Sequence, residues 1–129
     1  MIFVDTNYFL RFLRNDIPKQ TEEAKKLFFQ AADGQIRLIT STIVVFEIYW
    51  VLSSFYGYKK MEVVRSLKGV LGLRGVEIED REVLDEAVDL YEKTNLGLED
   101  AYNLAYAKDR KVGEFRTFDK KLQKMCGSV

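Results

Sequence analysis

The 129-residue sequence predicts an α/β fold: a central parallel sheet of about four to five short strands, covered by helices on both faces as a three-layer sandwich. Two observations predict it. Short runs rich in β-branched and aromatic residues alternate along the chain with longer stretches whose apolar residues recur at helical spacing. Strands that alternate with helices pair in parallel, and a parallel sheet needs cover on both faces. The second observation is bulk composition, 47% apolar and 31% charged. That is ordinary for one globular domain, here residues 1–129, which can bury a core without crosslinks.

The elements follow in order. Ile2-Phe3-Val4-Asp5 reads as a short buried strand ending in an acid. Phe9, Leu10, Phe12 and Leu13 then recur as on a helix. Asp16 and Pro18 mark the next helix start, because proline suits the first turn. Ala24, Leu27, Phe28 and Ala31 give that helix its stripe, and Gly34 ends it. Ile36 to Thr40 is the second strand. Ser41 or Thr42 caps a helix expected to run to about Phe55, where Gly57 stops it. A helix is expected over Lys60 to Leu71, a strand over Gly75 to Glu79, and a helix capped by Asp80. Gly97 breaks that helix, and Glu99 to about Lys108 forms another. Gly113 to Thr117 is the fourth strand, before a short helix from Asp119 to Lys124.

Absences narrow the chemistry. There is no histidine, so no imidazole serves as base, ligand or triad member. Cys126 is the single cysteine, which excludes an internal disulfide or a cysteine cluster for zinc. No basic-then-apolar leader precedes the first strand, so a cytoplasmic location is expected. The weakly charged stretch from Leu38 to Tyr58 has a short apolar core and carries Glu47, which suits a buried helix better than a membrane span. Formal charge is zero overall but uneven: residues 1–76 carry +4, residues 77–100 carry −8, and residues 101–129 carry +4. The two basic ends offer a polyanion a surface, and a solvated mixed-charge surface explains the same count.

Four carboxylates remain as candidates. Asp5 and Asp119 both fall at strand ends, where open α/β sheets form their ligand crevice, although each alone reads simply as a helix N-cap. Glu47 is the only charged side chain between Arg37 and Lys59, in a helix apolar nearly all round and expected to be largely buried. A carboxylate there needs a partner or a metal. Asp100 opens a helix beside Glu99, where acids also serve the helix dipole. Without histidine or clustered cysteine, an all-oxygen site selects a hard cation, Mg²⁺ or Mn²⁺. Such ions activate water for phosphodiester hydrolysis.

With these residues in place the chain resembles a PIN domain, and within that group the VapC-type toxins of prokaryotic toxin–antitoxin pairs. Phe3-Val4-Asp5-Thr6-Asn7 is similar to the first motif, whose aspartate binds metal while its polar neighbours orient it. Glu47 matches the acid midway along the third helix, and Asp100-Ala101 the third motif. Thr117-Phe118-Asp119 matches the closing motif, where hydroxyl and carboxylate complete the site. The resemblance covers nearly the whole chain. It implies a Mg²⁺-dependent endoribonuclease, a homodimer, an RNA substrate, and a small antitoxin protein that blocks the site. Family members commonly run on into a last strand, whereas Cys126-Gly127-Ser128-Val129 ends this sequence, so that strand is expected to be missing or vestigial.

Two other readings compete. A receiver-like signalling domain would want paired acids after the first strand, where Asp5-Thr6-Asn7 has one, and leaves Glu47 unexplained. A catalytically idle PIN scaffold that only binds RNA or a partner leaves the four acids unexplained. Tyr49, Trp50, Phe55, Tyr56 and Tyr58 crowd the end of one helix, and some are expected at a dimer interface. Phe9, Phe12 and Leu13 are expected to line a groove for an antitoxin peptide.

Overall fold

In the computed structural model, which describes residues 1–126, the chain divides into two compact units, Met1–Arg81 and the remainder from Glu82. The first unit holds the sheet. Its strands β1 (Ile2–Phe3), β2 (Leu38–Thr40) and β3 (Val76–Ile78) lie in the order β1-β2-β3, all parallel. Ile2 pairs with Leu38, and Leu38 with Val76, so β2 is central. Helices α1 (Thr6–Arg14) and α2 (Pro18–Ala32) cross from β1 to β2, and α3 (Thr42–Trp50) and α4 (Lys60–Leu71) cross from β2 to β3. This is the expected α/β class, a parallel sheet flanked by helices.

Local chemistry explains the boundaries. Pro18 sits at the first turn of α2, where its missing N–H costs nothing. Asp16 does not cap that helix; it accepts from Arg11 and Arg14, each at 3.1 Å, and ties the link to α1. Ser41 caps α3 by accepting from the Val44 N–H at 3.3 Å. Phe9 and Leu10 of α1, Phe28 of α2, Ile48 of α3 and Leu67 of α4 are buried with Leu38. Phe28 takes both Phe9 and Phe12 against its ring, with centroids 5.2 and 5.0 Å away. The fully buried Phe9 therefore belongs to the core and is removed from the expected peptide groove.

Three expectations need correction. The helix after Ser41 does not run unbroken to Phe55: beyond Trp50 it widens into a π-helical turn, Val51–Phe55, with Tyr56 N–H donating to the Val51 carbonyl. The Ser53 hydroxyl donates to the Tyr49 carbonyl at 2.7 Å, a back-bond that competes with the helical ladder. Nor is α3 buried all round. Ile43, Glu47 and Trp50 share one stripe at i, i+4 and i+7, and all three are exposed, while Val44, Val45 and Ile48 face the core. Last, three strands are found among the described residues rather than four or five. Gly113–Thr117 has the alternating burial of a strand, with Phe115 and Thr117 half-buried, but it is not in a ladder. A strand exists through its partner's hydrogen bonds, and alternation alone does not supply them. The last strand, expected to be missing or vestigial, would fall on residues outside the described ones.

The second unit contains the rest of α5 (Arg81–Lys93), then α6 (Leu98–Asp109) and α7 (Lys120–Met125). Helix α5 buries Val83, Leu84, Ala87, Val88 and Tyr91, a period-3.6 stripe. Helix α6 buries Leu98, Ala101, Leu104 and Ala105, and α7 buries Leu122. Lys108 and Glu86 link α6 to α5 at 3.2 Å. Among the described residues no helix is long and apolar enough to cross a membrane.

Candidate active site

In the first unit the carboxyl ends of the parallel strands bring polar groups forward. Asp5 follows β1 and caps α1 in extended conformation, its Oδ1 accepting from the Thr6 N–H at 2.7 Å. The carboxylate is exposed, and its second oxygen is free to face a ligand. The buried Thr40 hydroxyl at the end of β2 donates to the Val4 carbonyl at 2.8 Å, which fixes the backbone just ahead of Asp5. Thr6 is 3% exposed, and its Oγ1 has no hydrogen-bond partner among the described residues. An orphaned buried hydroxyl beside an acid is costly unless water or a ligand completes it.

Glu47 lies midway along α3 and is exposed between Ile43 and Trp50. Burial therefore does not argue for a partner at Glu47, contrary to the expectation from its apolar neighbours. What it has instead is an accessible carboxylate on an apolar stripe. Sequence reasoning also passed over Glu79, which follows β3 and accepts from the Thr42 N–H at 3.2 Å, joining two strand ends. Nothing local announced that pairing, because the two residues lie 37 apart in the chain.

Asn7 lines a hollow of about 200 Å³ with Tyr8, Arg11, Gln20 and Glu23. Tyr8 donates to Glu23 at 3.3 Å. The Glu23 charge first, then burial and that hydrogen bond, hold the phenol above its ordinary pKa. Behind this hollow Arg14 stacks 3.5 Å over the Tyr56 ring, and Arg11 donates to the Tyr56 hydroxyl at 3.3 Å. The end of α1 is thereby clamped to the residues after the π-helical turn. Tyr56 and Tyr58 are engaged here, so of the five clustered aromatics Trp50 and Phe55 are the exposed ones, at 58% and 67%.

The second unit carries the other two acids. Asp100 stands in the first turn of α6 and is half-buried, while its neighbour Glu99 is exposed, the order that the helical register predicts. Asp119 caps α7, with Oδ1 accepting from the Leu122 N–H at 3.1 Å. Its own N–H donates to the Thr117 hydroxyl at 3.1 Å, and Gln123 donates to the Thr117 carbonyl at 2.7 Å. Thr117 and Gln123 thus fix the turn that presents Asp119.

Each unit contributes two of the four acids. Among the described residues, no three or more acidic or cysteine side chains stand close enough together to hold a metal ion. The donor set itself suits a hard cation: carboxylates and hydroxyls, with neither imidazole nor clustered thiolate. Two of the acids are anchored through one oxygen by a cap and keep the other available.

A family model described as PIN domain matches residues 2–128. No individual curated protein matches the chain.

Proposed function

Because the chain belongs to the PIN-domain family, whose members are usually nucleases, we propose that it is a metal-dependent endoribonuclease, the toxin of a VapC-type toxin–antitoxin pair. In this reading residues 1–129 act as one nuclease domain, and Asp5, Glu47, Asp100 and Asp119 together hold Mg²⁺ or Mn²⁺. Family membership favours this over a receiver-like signalling domain.

One observation supports the reading: the four candidate acids fall in order within the matched residues 2–128, each on the kind of element that the resemblance implies for it. Asp5 follows β1, Glu47 lies midway along α3, Asp100 opens α6, and Asp119 precedes α7. When bound, a divalent cation supplies Lewis acidity toward the phosphodiester and the attacking water. The chain's own part is positioning. Thr6 N–H holds one Asp5 oxygen, the buried Thr6 hydroxyl adds a polar group beside it, and Thr117 fixes the backbone of Asp119. With no histidine present, proton handling falls to carboxylates and solvent.

The partners in this reading are RNA, a second copy of the chain and a small antitoxin protein, in the cytoplasm. Exposed Trp50 and Phe55 support the homodimer, since aromatics are enriched at such interfaces. Half-buried Phe12 and Leu13 remain as the apolar contacts for the antitoxin. The test is incubation of the purified chain with total RNA, with Mg²⁺ or with chelator, followed by mapping of the new ends. Discrete ends that appear only with the metal are expected; intact RNA under both conditions removes the reading.

A further inference from the structure

Phe118 is 103% exposed, an aromatic ring with no cover at all, one residue before Asp119. A lone exposed apolar side chain is ordinary, but this one has company. Phe115 and Arg116 line two adjoining hollows. One, of about 520 Å³, is completed by Thr117, Phe118 and Gln123. The other, of about 290 Å³, reaches Tyr106 and Val112, which are 37% and 39% exposed. Arg110 lies 4.7 Å over the Tyr106 ring, so a planar cation already stacks on an aromatic there.

The segment that carries these rings is basic in balance, although Arg116 is paired with Glu114 at 3.0 Å and Arg110 with Asp109 at 4.0 Å. From residue 101 onward the chain carries seven basic side chains against three acidic ones. Lys111, Lys120 and Lys124 are exposed. Exposed rings interleaved with lysine and arginine are what a single-stranded nucleic acid requires: cations follow the backbone while unstacked bases rest on aromatic faces. A protein partner matched to apolar residues alone would leave the surrounding positive charge uncompensated.

We propose that Phe118 is a base-stacking platform for single-stranded RNA, seating a nucleobase on its ring beside Asp119. This rests on the ribonuclease reading and deepens it, because it assigns a residue of this chain that grips the substrate. Phe118 is a positioning residue. It orients the strand by one base and takes no part in bond breaking.

The experiment uses the full chain and a fluorescent single-stranded RNA, with chelator present so that binding is read without cleavage. Phe118→Ala is expected to weaken binding about tenfold, within the range for loss of one base–aromatic stack. Phe118→Trp should restore binding, and its added emission should change on titration with RNA, beyond any change seen in the wild type. On an RNA of the same length with abasic residues, wild type and Phe118→Ala should bind alike. Equal binding of intact RNA by both proteins overturns the platform, as does an equal loss on the abasic strand. A wild type that binds no single-stranded RNA also overturns it. Cleavage of the same RNA in Mg²⁺ is scored separately: a Phe118-dependent binder that never cleaves keeps the platform and loses the nuclease reading, whereas a nuclease indifferent to Phe118 in binding loses the platform alone.

Discussion

Gly75 offers the sharpest quantitative test of the packing that holds β3 in place. Its φ is +80°, a left-handed conformation that L side chains rarely adopt. A Cβ built there would fall 2.2 Å from the carbonyl oxygen of Ala31 and 2.5 Å from its carbonyl carbon. Both are backbone atoms of α2, so no flexible side chain can swing aside. Gly75→Ala therefore combines a left-handed backbone penalty of about 1–2 kcal/mol with an overpacking penalty of about 1–3 kcal/mol, for a loss of about 2–5 kcal/mol. Gly34 provides the control: its φ is +79°, and a Cβ there meets nothing within 4 Å. Gly34→Ala should lose only the backbone part. Urea unfolding followed by the emission of Trp50, the single tryptophan and a residue of the same unit, reads both variants. Equal losses for the two would refute the close approach of β3 and α2 at Gly75.

Asp100→Asn is expected to remove RNA cleavage and weaken Mn²⁺ binding, while Glu99→Gln keeps most activity and loses at most about 1 kcal/mol of helix-end stabilisation. An inactive Glu99→Gln beside an active Asp100→Asn would reverse the assignment. Millimolar Mn²⁺ should raise the melting temperature, because a cation that binds only the folded chain stabilises it by mass action. An unchanged melting curve counts against the metal site. Acid should reveal Asp16: burial pushes its carboxyl up, but the hydrogen bond from Arg14 and the charge of Arg11 outweigh it and hold the pKa below the ordinary value. A depressed folded pKa stabilises the fold above the unfolded value and is lost as pH falls through the folded one. Asp16→Asn should therefore flatten the loss of stability between about pH 5 and pH 2, and an unchanged acid limb would show that the Arg11–Asp16–Arg14 link carries no stability. Light scattering should show a dimer that Trp50→Ala weakens; monomer alone at high concentration would remove the dimer.

Much of the first unit was legible because its signals are local. Proline at the first turn of α2, serine ahead of α3 and the apolar stripe of α4 each act within a few residues, and the last of these gave the same bounds, Lys60–Leu71, in sequence and structure. What failed depended on neighbours distant in the chain. Glu47 lies among apolar residues in sequence, yet the helical period turns it outward with Ile43 and Trp50, so composition misjudged its burial. The Gly113–Thr117 segment has strand alternation but forms no ladder among the described residues. The π-helical turn contains a Ser53 hydroxyl that bonds back to the Tyr49 carbonyl, a contact that hydrophobic pattern does not register. For the site, each acid's element was readable from caps and breaks, while the caps at Asp5 and Asp119 showed that both simpler roles are also filled.

That double role makes one substitution series the most direct test of the central claim. Asparagine caps a helix about as well as aspartate but lacks its charge, so Asp5→Asn and Asp119→Asn should keep their caps and lose only metal affinity. Each variant, with Glu47→Gln and Asp100→Asn, is assayed for cleavage of end-labelled single-stranded RNA in Mn²⁺, with urea unfolding as the check on folding. If the four acids serve one cation, every variant stays folded and every one loses cleavage by orders of magnitude, although the residues come from both units of the chain. Full activity in any folded variant of the four would contradict the account.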